Sequence, residues 1–181
     1  MKYVSETGRH REIIIHQIEK YFGTLEKLNG IDIGFGGDPI LPNSICMDQY
    51  EKYTTNVIQT ANQNLYGDAT NLFWFKDNCL DYVYSAHVLE DFDPSKTYNV
   101  FSEWLRIVKQ NGLLILDLPN EKKYRELCAS RGYRSNPRHQ ILDMSIDYMK
   151  ELTKDFNIEL IHTQDELPPD GYSFLMIWRK L

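Results

Sequence analysis

The stretch Gly30-Ile31-Asp32-Ile33-Gly34-Phe35-Gly36-Gly37-Asp38-Pro39-Ile40 runs from apolar residues through an acid into a glycine-rich turn. Glycines permit positive φ angles and let the backbone approach a ligand closely. Pro39 suits the first turn of a helix, and a helix N-terminus offers free N–H groups. The stretch therefore predicts a strand, a loop and a helix that together bind a small polar ligand containing a nucleoside.

Length and composition indicate one globular domain of 181 residues, with 42% hydrophobic and 25% charged residues. No apolar run is long enough for a transmembrane helix, and the N-terminus has no signal-peptide core. Cys46, Cys79 and Cys128 are far apart, which predicts neither a metal cluster nor a disulfide framework. A cytoplasmic protein is expected, either a monomer or a homodimer, and the net charge of −6 argues against nucleic acid as its partner.

Hydrophobic periodicity predicts an α/β fold in which strands alternate with helices. This pattern is typical of a parallel, doubly wound sheet, and a C-terminal hairpin adds an antiparallel strand at its edge. The predicted helices span 9–28, 98–109 and 145–156. The predicted strands span 31–33, 44–47, 64–68, 80–85, 113–118, 157–163 and 172–179.

Acidic residues follow the strands at spacings that suit a nucleoside. Asp48 lies 16 residues after Asp32, at the predicted end of the second strand. Its two carboxylate oxygens can accept both hydroxyls of a ribose. Gly67-Asp68-Ala69 follows the third strand, where an acid and a backbone N–H can read an adenine edge. Residues 75–91 border the ligand crevice at the carboxyl edge of the sheet.

In combination, these segments resemble the class I S-adenosylmethionine-dependent methyltransferases, in the group with the type 11 domain. They share with that group an Asp-x-Gly-x-Gly-x-Gly turn at 32–38, an acid after strand two at 48 and a Gly-Asp-Ala element at 67–69. They also share two longer segments, at 81–91 and 106–112, and the match runs from about 30 to 119. The resemblance implies a Rossmann-like, mostly parallel seven-stranded sheet with helices on both faces, and S-adenosyl-L-methionine as cofactor.

The resemblance also implies roles for individual residues. The methionine moiety would lie near Asp32, Gly34, Phe35 and Gly36; the ribose near Asp48 and Gln49; the adenine near Asp68 and Ala69; and the sulfonium near Ser85 and His87. The chain departs from the family pattern at three places. Asp38 replaces the third glycine, Phe35 replaces a small residue, and Asp91 replaces a histidine.

The segment 120–143 carries the clue to the acceptor. Between 120 and 139 it holds six Lys and Arg residues and two Glu residues, a local net charge of +4. Loops after the carboxyl ends of strands line the crevice. Tyr124, Arg134 and Arg138 are candidate substrate ligands, because guanidinium groups bind anions bidentately. His139 and His87 are candidate general bases. A looser resemblance to enzymes of glycan and polysaccharide biosynthesis suggests an anionic acceptor, a sugar or a nucleotide-sugar. For any single arginine, a solvated surface remains the alternative.

We therefore expect one domain over 1–181, in four segments. They are an N-terminal helix or lid (1–29), a cofactor-binding core (30–119), a substrate-side segment (120–143), and a C-terminal helix and hairpin (144–181). The expected activity is S-adenosylmethionine-dependent methylation of a small molecule, an O-methylation of an anionic or sugar-type acceptor. The alternative is a non-catalytic, methyltransferase-like binding or scaffold protein, which the altered turn around Phe35 and Asp38 suggests. A nicotinamide-binding fold is disfavoured because it requires glycine where Pro39 stands. Methylation of nucleic acid or protein is disfavoured by the acidic net charge.

Overall fold

The computed structural model describes residues 5–49 and 64–181, which contain seven strands in one sheet. They are β1 (Gly30–Ile33), β2 (Ile45–Asp48), β3 (Leu65–Tyr66), β4 (Leu80–Ala86), β5 (Val108–Pro119), β6 (Ile158–Gln164) and β7 (Ser173–Lys180). The strand order is β3-β2-β1-β4-β5-β7-β6. The first five strands pair in parallel, and β7 pairs antiparallel with both β5 and β6. The predicted mixed sheet is confirmed.

The helices are α1 (Glu6–Phe22), α2 (Pro94–Ile107), α3 (Glu121–Ser130) and α4 (Ile146–Thr153), with a short 3₁₀ turn at Leu89–Asp91. Each α-helix begins at a polar side chain that accepts a hydrogen bond from the first turn. α1 ends earlier than predicted because Gly23 adopts a left-handed conformation and closes the helix. α3 lies in a segment for which the sequence predicted only polar turns. None of the helices in the described ranges is both long and apolar enough to cross a membrane.

Helices cover both faces of the sheet, as predicted. On one face, Ile14 and Ile18 of α1 belong to the same buried cluster as Tyr84 of β4 and Ile115 of β5. On the other face, α2 and α4 supply a second cluster, in which Trp104 and Met149 are fully buried. The carboxyl ends of β1, β2, β3 and β4 are left at one edge of this two-sided core, where ligands bind in open α/β sheets.

The predicted helix after the glycine turn is absent, which corrects the first expectation. β1 ends at Ile33 and β2 begins at Ile45, and the intervening residues form turns. Two hydrogen bonds fold the chain straight back: the Gly34 N–H donates to the Met47 carbonyl over 2.8 Å, and the Ile40 N–H donates to Asp32 Oδ2 over 2.7 Å. Ile40 then lies buried in the core that α1 covers. No helix N-terminus follows this turn to bind a ligand.

Candidate functional site

A cavity of about 870 Å³ opens at the carboxyl ends of β1, β2, β3 and β4. One side, here called the glycine wall, consists of residues 33–36, 47–49, 67 and 69. The opposite side, here called the histidine wall, consists of residues 86–88, 91, 92, 124, 136–140 and 172. Ser5, Glu6 and Thr7 at the start of α1 complete the lining. The predicted residues Gly34, Phe35, Gly36, Asp48, Gln49, Ala69, His87, Tyr124, Arg138 and His139 all line this cavity.

Two glycines shape the glycine wall. Gly34 has φ +71°, and a Cβ there would lie 2.3 Å from Val88 Cγ2, so the turn packs directly against the residue after His87. Gly36 has φ +59°, and a Cβ there would meet nothing within 4 Å. The backbone at Gly36 therefore faces open cavity, which leaves room for close approach of a ligand.

Asp48 presents its carboxylate at the end of β2. Its Oδ2 accepts the Gly36 N–H over 3.2 Å, and its Oδ1 accepts the Gln49 N–H over 2.8 Å. These bonds orient the carboxylate at the end of β2. A carboxylate fixed in this way suits a vicinal diol.

Asp32 lies beneath the turn and is not among the residues that line the cavity. It is fully buried, and Oδ1 has no hydrogen-bond partner among the described residues. Burial raises the pKa of this carboxyl to about 8, against the opposing hydrogen bond from Ile40. The geometry gives Asp32 a role in folding the turn, and the ligand contact that the resemblance implied stays a prediction.

Three further predicted residues also lie outside the cavity lining. The Ser85 hydroxyl is buried and donates to the Ile33 carbonyl over 2.9 Å, joining β4 to β1. Asp68 is exposed and accepts hydrogen bonds from the backbone and hydroxyl of Thr70. Arg134 is exposed on the loop after α3. The cavity is lined instead by Ala86, next to Ser85, by Ala69, next to Asp68, and by Arg138 of the same loop as Arg134.

Asp38, which departs from the family pattern, attaches α1 to the glycine turn. Its carboxylate accepts hydrogen bonds from the Ser5 hydroxyl and the Arg11 guanidinium. Arg11 also donates to the Pro39 carbonyl, and Thr7 shares a hydrogen bond with the Tyr84 hydroxyl. These contacts hold the start of α1 over the cavity, so the substitution of glycine by Asp38 has a structural reason.

The histidine wall places two imidazoles on either side of one buried carboxyl. His139 Nδ1 lies 2.7 Å from Glu121 Oε2, and His139 Nε2 lies 3.7 Å from Glu90 Oε1. His87 Nδ1 lies 3.6 Å from the same Glu90 oxygen, and its Nε2 is hydrogen-bonded to the Ser173 hydroxyl at 3.1 Å. His87 has φ +52°, a backbone strain of the kind found at functional sites.

Glu90 is fully buried, and neither side-chain oxygen has a hydrogen-bond partner within the described part of the chain. Burial, together with the nearby carboxylates of Asp91, Asp117 and Glu121, raises its pKa well above the usual value. In residues 5–49 and 64–181, no three His, Cys, Asp or Glu side chains are placed to hold a metal ion.

A second buried network supports the histidine wall from behind. His10 of α1 lies between two carboxylates, with Nδ1 2.6 Å from Asp117 Oδ2 and Nε2 3.3 Å from Asp170 Oδ2. Burial alone would lower the pKa of His10, but these carboxylates outweigh it and raise the pKa to about 9. Asp170 accepts a hydrogen bond from the Ser173 hydroxyl, and the same hydroxyl is hydrogen-bonded to His87. This network therefore links α1 to the cavity.

The cavity is less basic than the sequence suggested. Among the basic residues of the segment 120–143, only Arg138 lines it, alongside the acids Glu6, Asp48 and Asp91. Arg125 pairs with Glu121, and Lys123 pairs with Asp165 and Glu166 on the surface. The local excess of positive charge therefore lies mostly outside the cavity lining.

Sequence reasoning missed several contributors to this site. Glu90 and Glu121 are buried behind the histidines, while Ser5, Glu6 and Tyr172 line the cavity. A signal was present for Glu121, since it comes two residues after Pro119, the carboxyl end of β5. Tyr172 precedes β7, whose antiparallel direction brings its first residues to the same edge.

Comparison with known proteins relates the chain to one family. Residues 38–116 match the family described as a methyltransferase domain. Over this stretch, which is less than half of the chain, the sequence is similar to methyltransferases. The match agrees with the activity and the S-adenosyl-L-methionine cofactor expected from the sequence. No curated protein sequence matches the chain significantly.

Solved structures share the fold of this chain over nearly its whole length. The PH0226 protein of Pyrococcus horikoshii superposes with a TM-score of 0.69 at 18% identity, covering 98% of this chain and 92% of its own. A SAM-dependent methyltransferase of Archaeoglobus fulgidus gives 0.64 at 18% identity, covering 94% of each chain. Another from Aquifex aeolicus gives 0.64 at 14% identity, covering 98% of this chain and 94% of its own. At these identities the likeness shows the fold alone.

Proposed function

We propose that the methyltransferase methylates a hydroxyl group of a small sugar-type acceptor, with the cofactor on the glycine wall and His139 as general base. The observation that carries this proposal is that the glycine wall and the histidine wall line the same cavity. Asp48 and the glycine turn form one side, and His139 with His87 forms the other. A bound cofactor and an acceptor placed between them would meet next to the imidazoles.

The glycine wall fits the cofactor. The oriented carboxylate of Asp48 suits the two ribose hydroxyls, and Gln49 lies beside it. Gly34, Phe35 and Gly36 would surround the methionine moiety, since the open space at Gly36 admits a ligand against the backbone. Gly67 and Ala69 border the place expected for the adenine. Asp32 would act through the shape of the turn.

The charge of the cavity supports an acceptor with at most one anionic group, such as an acidic sugar. Arg138 contributes the one guanidinium among the described lining residues, whereas Glu6, Asp48 and Asp91 would repel a multiply charged ligand. Tyr124 and Tyr172 lie with ring centroids 5.2 Å apart and present apolar surface with a polar edge. Such a surface suits the mixed character of a sugar ring.

The chemistry requires positioning and removal of one proton. S-adenosyl-L-methionine supplies a methyl group already activated on sulfur. The walls of the cavity hold the acceptor hydroxyl in line, an effect worth about 7–11 kcal/mol in favourable cases. His139 accepts the hydroxyl proton, and a general base of this kind contributes about 10²–10⁴-fold in rate.

Calorimetric titration with S-adenosylhomocysteine tests whether the cofactor binds on the glycine wall. We expect wild type to bind and Asp48→Ala to bind at least about tenfold more weakly, because the carboxylate that orients the ribose is lost. The matched control is Asp68→Ala, which removes an exposed carboxylate outside the cavity lining and should bind as wild type does. Absence of binding by folded wild type would rule out cofactor binding on the glycine wall and favour a non-catalytic role.

Release of S-adenosylhomocysteine with a panel of sugars then tests the acceptor. We expect turnover with neutral hexosides or uronic acids, and its loss in His139→Ala. A preference for nucleotide-sugars, with their several phosphate charges, would contradict the argument from cavity charge. Unchanged turnover in His139→Ala would remove His139 as the base.

A further inference from the structure

We propose that Glu121 is a positioning residue that fixes the tautomer of His139. Its carboxylate accepts a hydrogen bond from Nδ1–H, so the proton stays on Nδ1. Nε2 is then the basic nitrogen of the imidazole. This inference rests on the proposed function, in which His139 is the general base, and it adds the group that makes His139 suitable for that role.

The contacts of Glu121 define its charge and its function. It is the first residue of α3 and is fully buried. Oε1 accepts a hydrogen bond from Arg125 Nε at 2.7 Å, and Oε2 lies 2.7 Å from His139 Nδ1. The guanidinium favours the ionised carboxylate, which can only accept hydrogen bonds. Nδ1 of His139 must therefore carry the proton, and Nε2 is left to accept another.

One ring contact and three backbone hydrogen bonds fix the surroundings of His139. The Tyr124 ring lies against the imidazole with a centroid separation of 5.0 Å and an interplanar angle of 36°. The Tyr124 hydroxyl accepts a hydrogen bond from the N–H of Asn136, three residues before His139. After His139, the N–H groups of Gln140 and Ile141 both donate to the Glu90 carbonyl. The chain is thus fixed on both sides of His139, and Tyr124 packs on its ring.

Other charged groups near His139 are not placed to set the tautomer. Glu90 Oε1 is 3.7 Å from Nε2, beyond hydrogen-bonding distance, and burial raises the pKa of this carboxyl. Asp91 and Arg138 also act on this region, since His139 and Arg138 both oppose the effect of burial on the Asp91 pKa. His87 lies on the other side of Glu90, with its Nδ1 3.6 Å from Glu90 Oε1. Among the hydrogen bonds of the described residues, the one to Glu121 is the contact that distinguishes the two nitrogens of His139.

Nitrogen-15 NMR of the histidine side chains measures this tautomer without an acceptor. We expect His139 of wild type to be protonated at Nδ1 when neutral. In Glu121→Gln, the amide can donate to Nδ1, so a population protonated at Nε2 should appear. Modification by diethyl pyrocarbonate, followed by mass spectrometry of the peptide containing His139, should slow at least about tenfold, because Nε2 loses its free lone pair.

Glu126→Gln is the matched control, because it makes the same change on an exposed side chain of α3. It should alter neither the tautomer nor the modification rate. A His139 protonated at Nε2 in wild type would overturn the inference directly, even if Glu121→Gln fails to fold. Glu121→Gln with wild-type tautomer and reactivity would also overturn it. The proposed base would survive either result if turnover is still lost in His139→Ala, so the two failures are distinguishable.

Discussion

The two walls of the cavity differ in the interactions that hold their functional groups in place. On the glycine wall, backbone conformation at Gly34 and Gly36 sets the shape, and the Asp48 carboxylate is held by backbone N–H groups. On the histidine wall, the two imidazoles contact buried carboxyl groups at Glu90 and Glu121. One side therefore depends on shape, whereas the other depends on charge and on where protons reside.

This difference predicts different vulnerabilities. Adding a methyl group to the glycine wall should disturb cofactor binding, whereas removing a charge near the histidine wall should leave another buried charge uncompensated. Losing one partner of a buried ion pair costs more free energy than most local steric changes. The largest effect on stability is therefore expected in the network behind the histidine wall.

His10→Leu is expected to lower the free energy of unfolding by about 3–5 kcal/mol at pH 7, measured by urea denaturation. The side chain of His10 is fully buried, and the substitution leaves Asp117 and Asp170 without the cation between them. His16→Leu is the control, because His16 is exposed on the same helix and should change stability by less than about 0.5 kcal/mol. Equal losses in the two variants would contradict the network.

The pH dependence of this variant has a defined sign. Because the folded pKa of His10 is raised from 6.5 to about 9, its stabilisation is complete below pH 6.5 and is lost as pH rises through 9. The difference between wild type and His10→Leu should therefore shrink towards alkaline pH. Asp170 has a folded pKa lowered from 3.8 to about 2, so its contribution is present above pH 3.8 and is lost as pH falls through 2.

Gly34→Ala tests the glycine wall by shape alone. The positive φ angle and the collision with Val88 should each cost about 1–3 kcal/mol, and the turn must shift to relieve them. We expect affinity for S-adenosylhomocysteine to fall at least about tenfold by calorimetry, since the turn is part of the glycine wall on which the cofactor is proposed to bind. Retention of wild-type affinity would show that the turn is more adaptable than its packing suggests.

Gly132→Ala separates backbone strain from collision. Gly132 has φ +70°, close to that of Gly34, but a Cβ there would meet nothing within 4 Å. It lies after α3 and outside the cavity lining. The variant should lose about 1 kcal/mol of stability and bind the cofactor product as wild type does.

The sheet and the glycine wall were predictable because they depend on local patterns. Apolar strands, their alternation with helices and the acid after β2 are all visible in the sequence. The missing helix after the glycine turn was not visible, because it depends on a hydrogen bond from Ile40 back to a buried Asp32. With that reversal, residues 34–44 form turns instead of the expected helix.

The histidine wall was harder to predict because its carboxyl groups are identified only by tertiary contacts. Glu121 stands in a basic, polar stretch and looks like a surface acid, but His139 and Arg125 enclose it in the fold. Arg134 and Arg138 have equal charge in the sequence, yet only Arg138 lines the cavity. Residues 1–4 of the predicted N-terminal segment lie outside the described residues.

Asp32→Asn tests how far the resemblance to the family can assign individual contacts. Because burial raises the folded pKa of Asp32 from 3.8 to about 8, the folded protein retains a proton that the unfolded chain releases. This lowers the stability of wild type as pH rises from 3.8 to about 8. Asparagine cannot ionise and can still accept the Ile40 N–H through its amide oxygen.

The variant should therefore gain stability relative to wild type across that pH range, by at least about 1 kcal/mol at pH 7 in urea denaturation. Its affinity for S-adenosylhomocysteine should stay within about threefold of wild type, because Asp32 lies beneath the turn and outside the cavity lining. Asp68→Asn, at an exposed acid, controls for the loss of charge. A tenfold loss of affinity in Asp32→Asn alone would mean that this acid binds the cofactor directly, as the family resemblance implied. The glycine wall would then depend on charge as well as shape, and the contrast with the histidine wall would narrow.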